Sequence, residues 1–142
     1  MFPTSHFHPM LVHFPIAIVA VGFLAELTSV FIKKEICLST IGFYLLIFGT
    51  LCAVLAWLTG IFFTADMSGS ADKIKETHEL FAWITLGLLI VTSVLRIFQQ
   101  FRNIKNNKLK WISLVLYALA AVSVSVTGFF GGNLVYNYMM PI

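Results

Sequence analysis

The chain alternates between four long apolar stretches and short polar connections. The apolar stretches cover about residues 9–32, 36–63, 72–98 and 111–132. Each is long enough to cross a bilayer as a helix, which takes about 20 residues. They are continuous rather than alternating, and a backbone in lipid must satisfy its own hydrogen bonds, so all four are predicted to be helices. The short connections predict an all-α, up-down four-helix transmembrane bundle, in which residues 1–142 form a single four-span membrane domain.

The composition supports a membrane protein and excludes two other classes. Hydrophobic residues make up 59% of the chain and charged residues only 11%, whereas a soluble domain carries about 25% charged residues. The mean hydropathy is +0.93. A soluble globular domain and a disordered chain are therefore excluded, and the lipid bilayer is the expected partner. No motif for hydrolysis, phosphate binding or nucleic-acid binding occurs, and no internal repeat is evident. The sequence leaves open whether the protein is an enzyme.

Basic residues are distributed unevenly between the two ends of the predicted bundle. Seven lie at one end, and these are Lys33, Lys34, Arg96, Arg102, Lys105, Lys108 and Lys110, whereas only Lys73 and Lys75 lie at the other. By the positive-inside rule, the end with seven is cytoplasmic. The prediction is a multi-pass protein of the bacterial inner membrane with both termini periplasmic. All four histidines, His6, His8, His13 and His78, then fall on the periplasmic side.

The third span shows which of its faces points into the bundle. Steps of four and three from His78 reach small or polar side chains at most positions, namely Ala82, Thr85, Leu89, Thr92 and Arg96. The other faces carry bulky apolar side chains, among them Leu86. Membrane helices place small and polar residues against other helices, so His78 is predicted to point inward.

The first span begins with HPMLVHFP, residues 8–15, in which two prolines bracket two histidines. Pro9 suits the first turn of a helix, with His8 at the cap. Pro15 would be an interior proline that cannot bond the Leu11 carbonyl, so a kink or a break is expected there. Either one would redirect His13, which we expect to face the bundle interior.

Two facing histidines at similar depth predict a cofactor site. His13 and His78 lie on diagonal spans of the bundle and could ligate a haem b axially for electron transfer. Glycines near this end of the spans would provide room for a flat ligand, and these are Gly60, Gly128, Gly131 and Gly132. One alternative is a copper or zinc ion bound by His8, His13 and His78. The other is a structural subunit of a membrane complex without a cofactor, in which the histidines only form hydrogen bonds.

Glu26 is the one acidic residue well inside a predicted span. It lies near the depth of Arg96, and we expect a buried ion pair with Arg96 or with a lysine that extends from the membrane surface. A proton relay through Glu26 is the alternative.

Three stretches, HPMLVHFPIAI, ETHELFAWITL and TGFFGGNLVY, occur in that order. In this the chain resembles the bacterial membrane family called domain of unknown function 2231. The matching positions are His8, Pro9, His13, Pro15, His78, Gly131, Gly132 and Tyr136. The resemblance implies a four-span unit that is sometimes fused to c-type cytochrome or Rieske domains. Such fusions favour a redox setting, with a periplasmic or membrane redox protein as a partner. The sequence separately leaves open whether the protein forms homo-oligomers.

Overall fold

The computed structural model describes residues 7–32, 36–64, 67–104 and 106–139, and those residues are almost entirely helical with no strand. Four residues used in the predictions above, His6, Lys33, Lys34 and Lys105, lie outside the described part of the chain. The helices are α1 (Phe7–Leu11), α2 (His13–Phe31), α3 (Ile36–Phe63), α4 (Ser70–Phe101) and α5 (Asn107–Leu134), and a π-helical turn (Val135–Met139) continues α5.

The helices form a bundle with the predicted up-down order. α2 packs along α3, and α4 packs along α5, so that each pair forms a helical hairpin. The hairpins meet through α2 with α5 and through α3 with α4, which leaves α2 and α4 on a diagonal. Four helical segments are long and apolar enough to cross a membrane, and they are Phe7–Phe31, Cys37–Phe63, Ser70–Phe101 and Asn107–Tyr138. The predicted spans are confirmed, although the third and fourth extend further than expected at both ends.

The break in the first span lies at Val12, between α1 and α2. Pro15 has no N–H for the Leu11 carbonyl, whereas Val12 N–H still bonds the His8 carbonyl at 3.1 Å. α1 already includes His8, so His8 does not take the predicted cap position. The proline thus removes one hydrogen bond of the helix at this point, while the backbone at Val12 keeps right-handed helical angles, with φ of −63° and ψ of −22°.

The inward face predicted for α4 is confirmed. Thr85, Leu89 and Thr92 are buried, and Leu89 and Thr92 are fully so. Leu86 was expected on the lipid face and is instead buried, because α4 contacts helices on two sides and its interior face is wider than one row of positions. The outer surface carries bulky apolar side chains, as a lipid-facing surface does.

Buried core positions follow a similar spacing in the two hairpins, although the sequence shows no internal repeat. Val19 and Leu89, 70 positions apart, are fully buried in the core. Leu46 and Tyr117, 71 positions apart, are fully buried in the same core. Corresponding positions therefore meet at the centre of the bundle, although the residues there differ in type.

Candidate functional site

His78 is anchored to α5 by its ring. Its Nδ1 lies 2.9 Å from the carbonyl oxygen of Thr127. Gly131, one turn further along α5, lies against the ring, because a Cβ at that position would stand 3.0 Å from His78 Cε1. The absence of a side chain at Gly131 therefore permits the close approach of the ring to α5.

His8 is anchored to α3 in the same way. Its Nδ1 lies 3.0 Å from the carbonyl oxygen of Ala56 and 3.1 Å from Thr59 Oγ1. Gly60 stands four residues after Ala56, as Gly131 stands four residues after Thr127. A Cβ at Gly60 would stand 3.1 Å from His8 Cε1. The spacing shared by the two hairpins thus extends to the residues that hold each histidine.

The two anchored histidines face each other across the bundle. Their ring centroids are 6.2 Å apart and the ring planes are nearly perpendicular, at 82°. His13 was predicted to take this position. It is exposed instead, and its Nδ1 lies 2.7 Å from the carbonyl oxygen of Pro9 in the preceding turn. The structure therefore brings together His8 and His78, because α1 lies against α3 and directs His8 inward.

The anchoring fixes which ring nitrogens remain available. A carbonyl oxygen can only accept a hydrogen bond, so each Nδ1 carries the hydrogen, and the Nε2 atom of each neutral ring keeps a lone pair. Neither Nε2 has a hydrogen-bond partner within the described ranges. Histidines that ligate metals usually donate their other ring N–H to a carbonyl or carboxylate in this way. The pair is therefore oriented as two potential Nε2 ligands.

A small cavity lies between the two rings and the helices around them. Its volume is about 80 Å³, and its walls include both histidines, Ile16, Trp57 and Thr85. Pockets for large organic ligands are roughly 300–1,000 Å³, so this cavity does not hold a porphyrin. Haem b binding stays a prediction, and it requires the two hairpins to separate at this end of the bundle.

The four glycines predicted to surround a cofactor have different surroundings. Gly60 and Gly131 back the two histidines, and Gly131 also lines the cavity. Gly128 lines the cavity and packs against Ile16. Gly132 faces open space, since a Cβ there would meet nothing within 4 Å. Three of the four are therefore placed at the site.

Within the described part of the chain, no cluster of three or more His, Cys, Asp or Glu side chains is placed to hold a metal ion. Zinc sites in proteins are built from three or four such ligands. Two imidazoles alone therefore match zinc poorly, whereas copper is compatible with imidazole ligands.

A hydroxyl cluster continues from the histidine site into the bundle. Thr85 Oγ1 lies 3.1 Å from Thr127 Oγ1 and 2.7 Å from Ser123 Oγ. Beyond this cluster lie buried apolar core residues such as Val19 and Leu46, together with a second buried hydroxyl pair, Thr50 Oγ1 and Ser93 Oγ, which are 2.8 Å apart. Buried side chains therefore separate the histidine site from the other end of the bundle.

The other end holds the predicted ion pair, which is confirmed. Arg96 Nη2 lies 2.9 Å from Glu26 Oε2, and Ser39 donates to the same oxygen at 3.1 Å. His8 precedes Glu26 by 18 positions on the first hairpin, and His78 precedes Arg96 by 18 positions on the second. Both pairs that join the two hairpins, His8 with His78 and Glu26 with Arg96, thus link residues at equivalent positions of the hairpins.

The spacing of residues in the sequence could have predicted that His8, rather than His13, pairs with His78. Glu26 and Arg96 are 70 positions apart, and counting back 70 positions from His78 gives His8 rather than His13. The anchoring carbonyls of Ala56 and Thr127 are backbone groups, so no residue type could have indicated them.

One of three comparisons with known proteins found a match. The search of curated proteins and the search of solved structures found no match. A comparison with protein families matches residues 4–141 to the family described as "Predicted membrane protein (DUF2231)". That match covers nearly the whole chain and bears out the resemblance drawn from its histidine and glycine motifs. The chain therefore belongs to the DUF2231 family of predicted membrane proteins.

Proposed function

We propose that this protein binds a redox-active metal centre between His8 and His78 and that this centre transfers electrons. The observation that carries the proposal is the duplicated anchoring of the two rings, which leaves both Nε2 atoms beside a common cavity. A histidine with a purely structural role would not require a second histidine, anchored in the same way, on the facing hairpin.

A single copper ion fits the cavity best. The ring centroids are 6.2 Å apart, a separation compatible with one ion bound by both imidazoles. Metal–imidazole bonds are about 2.0–2.1 Å long. Copper supplies one-electron chemistry when bound, and the packed core beyond the hydroxyl cluster would keep the centre in contact with one side of the membrane.

Haem b on the same two histidines is the second candidate. It would use the same Nε2 atoms, and two anchored imidazoles on opposite sides of one cavity support axial ligation. It differs from copper in requiring the hairpins to move apart, because the cavity of about 80 Å³ is too small for the ring.

We also propose that the site is on the periplasmic side of a bacterial inner membrane, with both termini periplasmic. The uneven distribution of basic residues supports this orientation. A periplasmic or membrane-bound redox protein would then reach the centre without crossing the bilayer.

The test compares three histidine variants of the full chain purified from cells supplied with copper and haem. His8→Asn and His78→Asn each keep an N–H that can reach the anchoring carbonyl but remove the Nε2 lone pair. His13→Asn is the matched control, since His13 is exposed and away from the cavity.

We expect about one copper ion per chain by elemental analysis in the unmodified protein and in the control, and loss of copper in both site variants. A Soret band with the same dependence on the variants would assign haem b instead. A protein without copper or haem, or a site variant that keeps its cofactor, would contradict the proposal.

A further inference from the structure

A polar pocket of about 340 Å³ lies at the end of the bundle opposite the histidines. The last turns of α4, the turn that follows it and the first turn of α5 form most of its wall, and Ser39 of α3 completes it. Arg96, Gln99, Asn103 and Lys110 are among its lining residues. The pocket is remote from the proposed metal site, so the inference below does not depend on that proposal.

The charges around this pocket favour an anion. Arg96 uses only Nη2 for Glu26 and Ser39, so Nη1 and Nε have no hydrogen-bond partner among the described residues. Lys110 is exposed and forms no ion pair within those residues. No carboxylate lines the described wall, and the nearby carboxylate of Glu26 is already bound by Arg96 and Ser39.

Asn103 on the pocket wall can add a neutral hydrogen-bond donor. It has a left-handed backbone conformation, with φ of 49°, in the turn between α4 and α5. Gln99 also lines the pocket but adds no donor, because its Nε2 already donates to Leu109 O at 3.0 Å and to Ser113 Oγ at 2.7 Å. An arrangement of a guanidinium, an ammonium and an amide is suited to phosphate oxygens.

Aromatic side chains mark this end as a membrane–water boundary. Trp111 follows Lys110 directly and is 58% exposed, and Phe98 and Phe101 are exposed on α4. Tryptophan is enriched at the level of lipid headgroups. Basic pockets between transmembrane helices on the cytoplasmic side are known to bind anionic headgroups.

We propose that the pocket binds a phosphate-bearing anion. Two sources share this chemistry, the phosphodiester headgroup of an anionic phospholipid and a soluble phosphate, and the test separates them. The full chain is placed in a neutral detergent, and its binding of phosphatidylglycerol, phosphatidylcholine and inorganic phosphate is measured by native mass spectrometry.

Two variants alter the pocket and one serves as a matched control. Lys110→Gln removes a lining cation, and Asn103→Asp adds a negative charge at a backbone conformation that aspartate tolerates. Lys108→Gln makes the same charge change two residues away, at an exposed position outside the pocket wall.

The unmodified protein should bind phosphatidylglycerol in preference to phosphatidylcholine. Lys110→Gln should weaken that binding about fivefold and Asn103→Asp at least as much, whereas Lys108→Gln should change it less than about twofold. Binding of inorganic phosphate with the same dependence on the variants would support the pocket and assign a soluble source. An equal loss in Lys108→Gln and Lys110→Gln, or no binding of either anion, would overturn the proposal.

Discussion

The ion pair between Glu26 and Arg96 should be a main determinant of how strongly the two hairpins are held together. The pair joins α2 to α4 across the bundle, and both side chains are largely removed from solvent, with exposed fractions of 4% for Glu26 and 13% for Arg96. The perturbation is neutralisation of each partner in turn and of both together, as Glu26→Gln, Arg96→Gln and the double variant.

The geometry sets the expected magnitude. At the contact distance of 2.9 Å, Coulomb attraction is about 6 kcal/mol for an effective dielectric constant of about 20. Desolvation of both charges offsets much of this attraction, so the pair contributes far less than that figure to stability. Removing one partner leaves the other charge buried, which costs about 3–5 kcal/mol. Removing both avoids that penalty, so the double variant should cost about 2–3 kcal/mol less than the sum of the two single variants.

The two single variants should not be equally destabilised. In Glu26→Gln, the remaining Arg96 lines the polar pocket, so its guanidinium can bind water there. In Arg96→Gln, the remaining Glu26 carboxylate keeps only the hydrogen bond from Ser39, at 3.1 Å, and does not line that pocket. Arg96→Gln should therefore be the more destabilising single change.

Reversible unfolding in mixed micelles, with helicity followed by circular dichroism, would give the free energy of unfolding of all four proteins. Thr28→Ala is a suitable control, because Thr28 is exposed on α2 near Glu26 and bonds only within its own helix. Additive single-variant effects would show that the pair contributes no coupling, and a larger cost for Glu26→Gln would refute the explanation based on the pocket.

Three further outcomes are expected. Gly131→Ala should lower metal occupancy, because its Cβ would stand 3.0 Å from His78 Cε1, whereas Gly132→Ala should not, since nothing lies within 4 Å there; elemental analysis of both variants checks this, and equal occupancy would contradict it. Tyr117→Phe should leave the free energy of unfolding unchanged or raise it by about 1 kcal/mol, because the buried hydroxyl has no partner in the described structure; a clear loss of stability in the same unfolding assay would mean that the hydroxyl is bonded. A reporter fused after Ile142 should be periplasmic and one inserted at Asn106 cytoplasmic, and the reverse activities would contradict the proposed orientation.

Hydropathy was sufficient to predict the four spans because each helix must satisfy its backbone and cover about 20 residues of bilayer. Side-chain size predicted the interior of α4, where Thr85 and Thr92 are buried. Side-chain size did not predict the burial of Leu86, because a helix in contact with two neighbours buries more than one row of positions. Where the contact follows from charge, as between Glu26 and Arg96, charge and depth together narrowed the partner to Arg96 or a lysine, and the structure shows Arg96.

The identity of the paired histidine could not be obtained by counting turns along one continuous helix. Pro15 leaves the Leu11 carbonyl without its usual partner, and the chain resumes as α2 after Val12. The direction of His8 then depends on how α1 lies against α3, which is a tertiary contact. Its anchor is the carbonyl of Ala56, and every residue has a carbonyl, so sequence gives no sign of it.

The two cross-bundle pairs differ in a way that bears on function. Glu26 and Arg96 carry opposite charges, and their attraction alone explains why corresponding positions of the two hairpins differ. His8 and His78 are identical, and two neutral imidazoles gain little from each other at a centroid separation of 6.2 Å. Each ring already satisfies its Nδ1–H on its own hairpin. Identical residues on both sides of one cavity, whose Nε2 atoms have no hydrogen-bond partner among the described residues, support the proposal that both bind a third group.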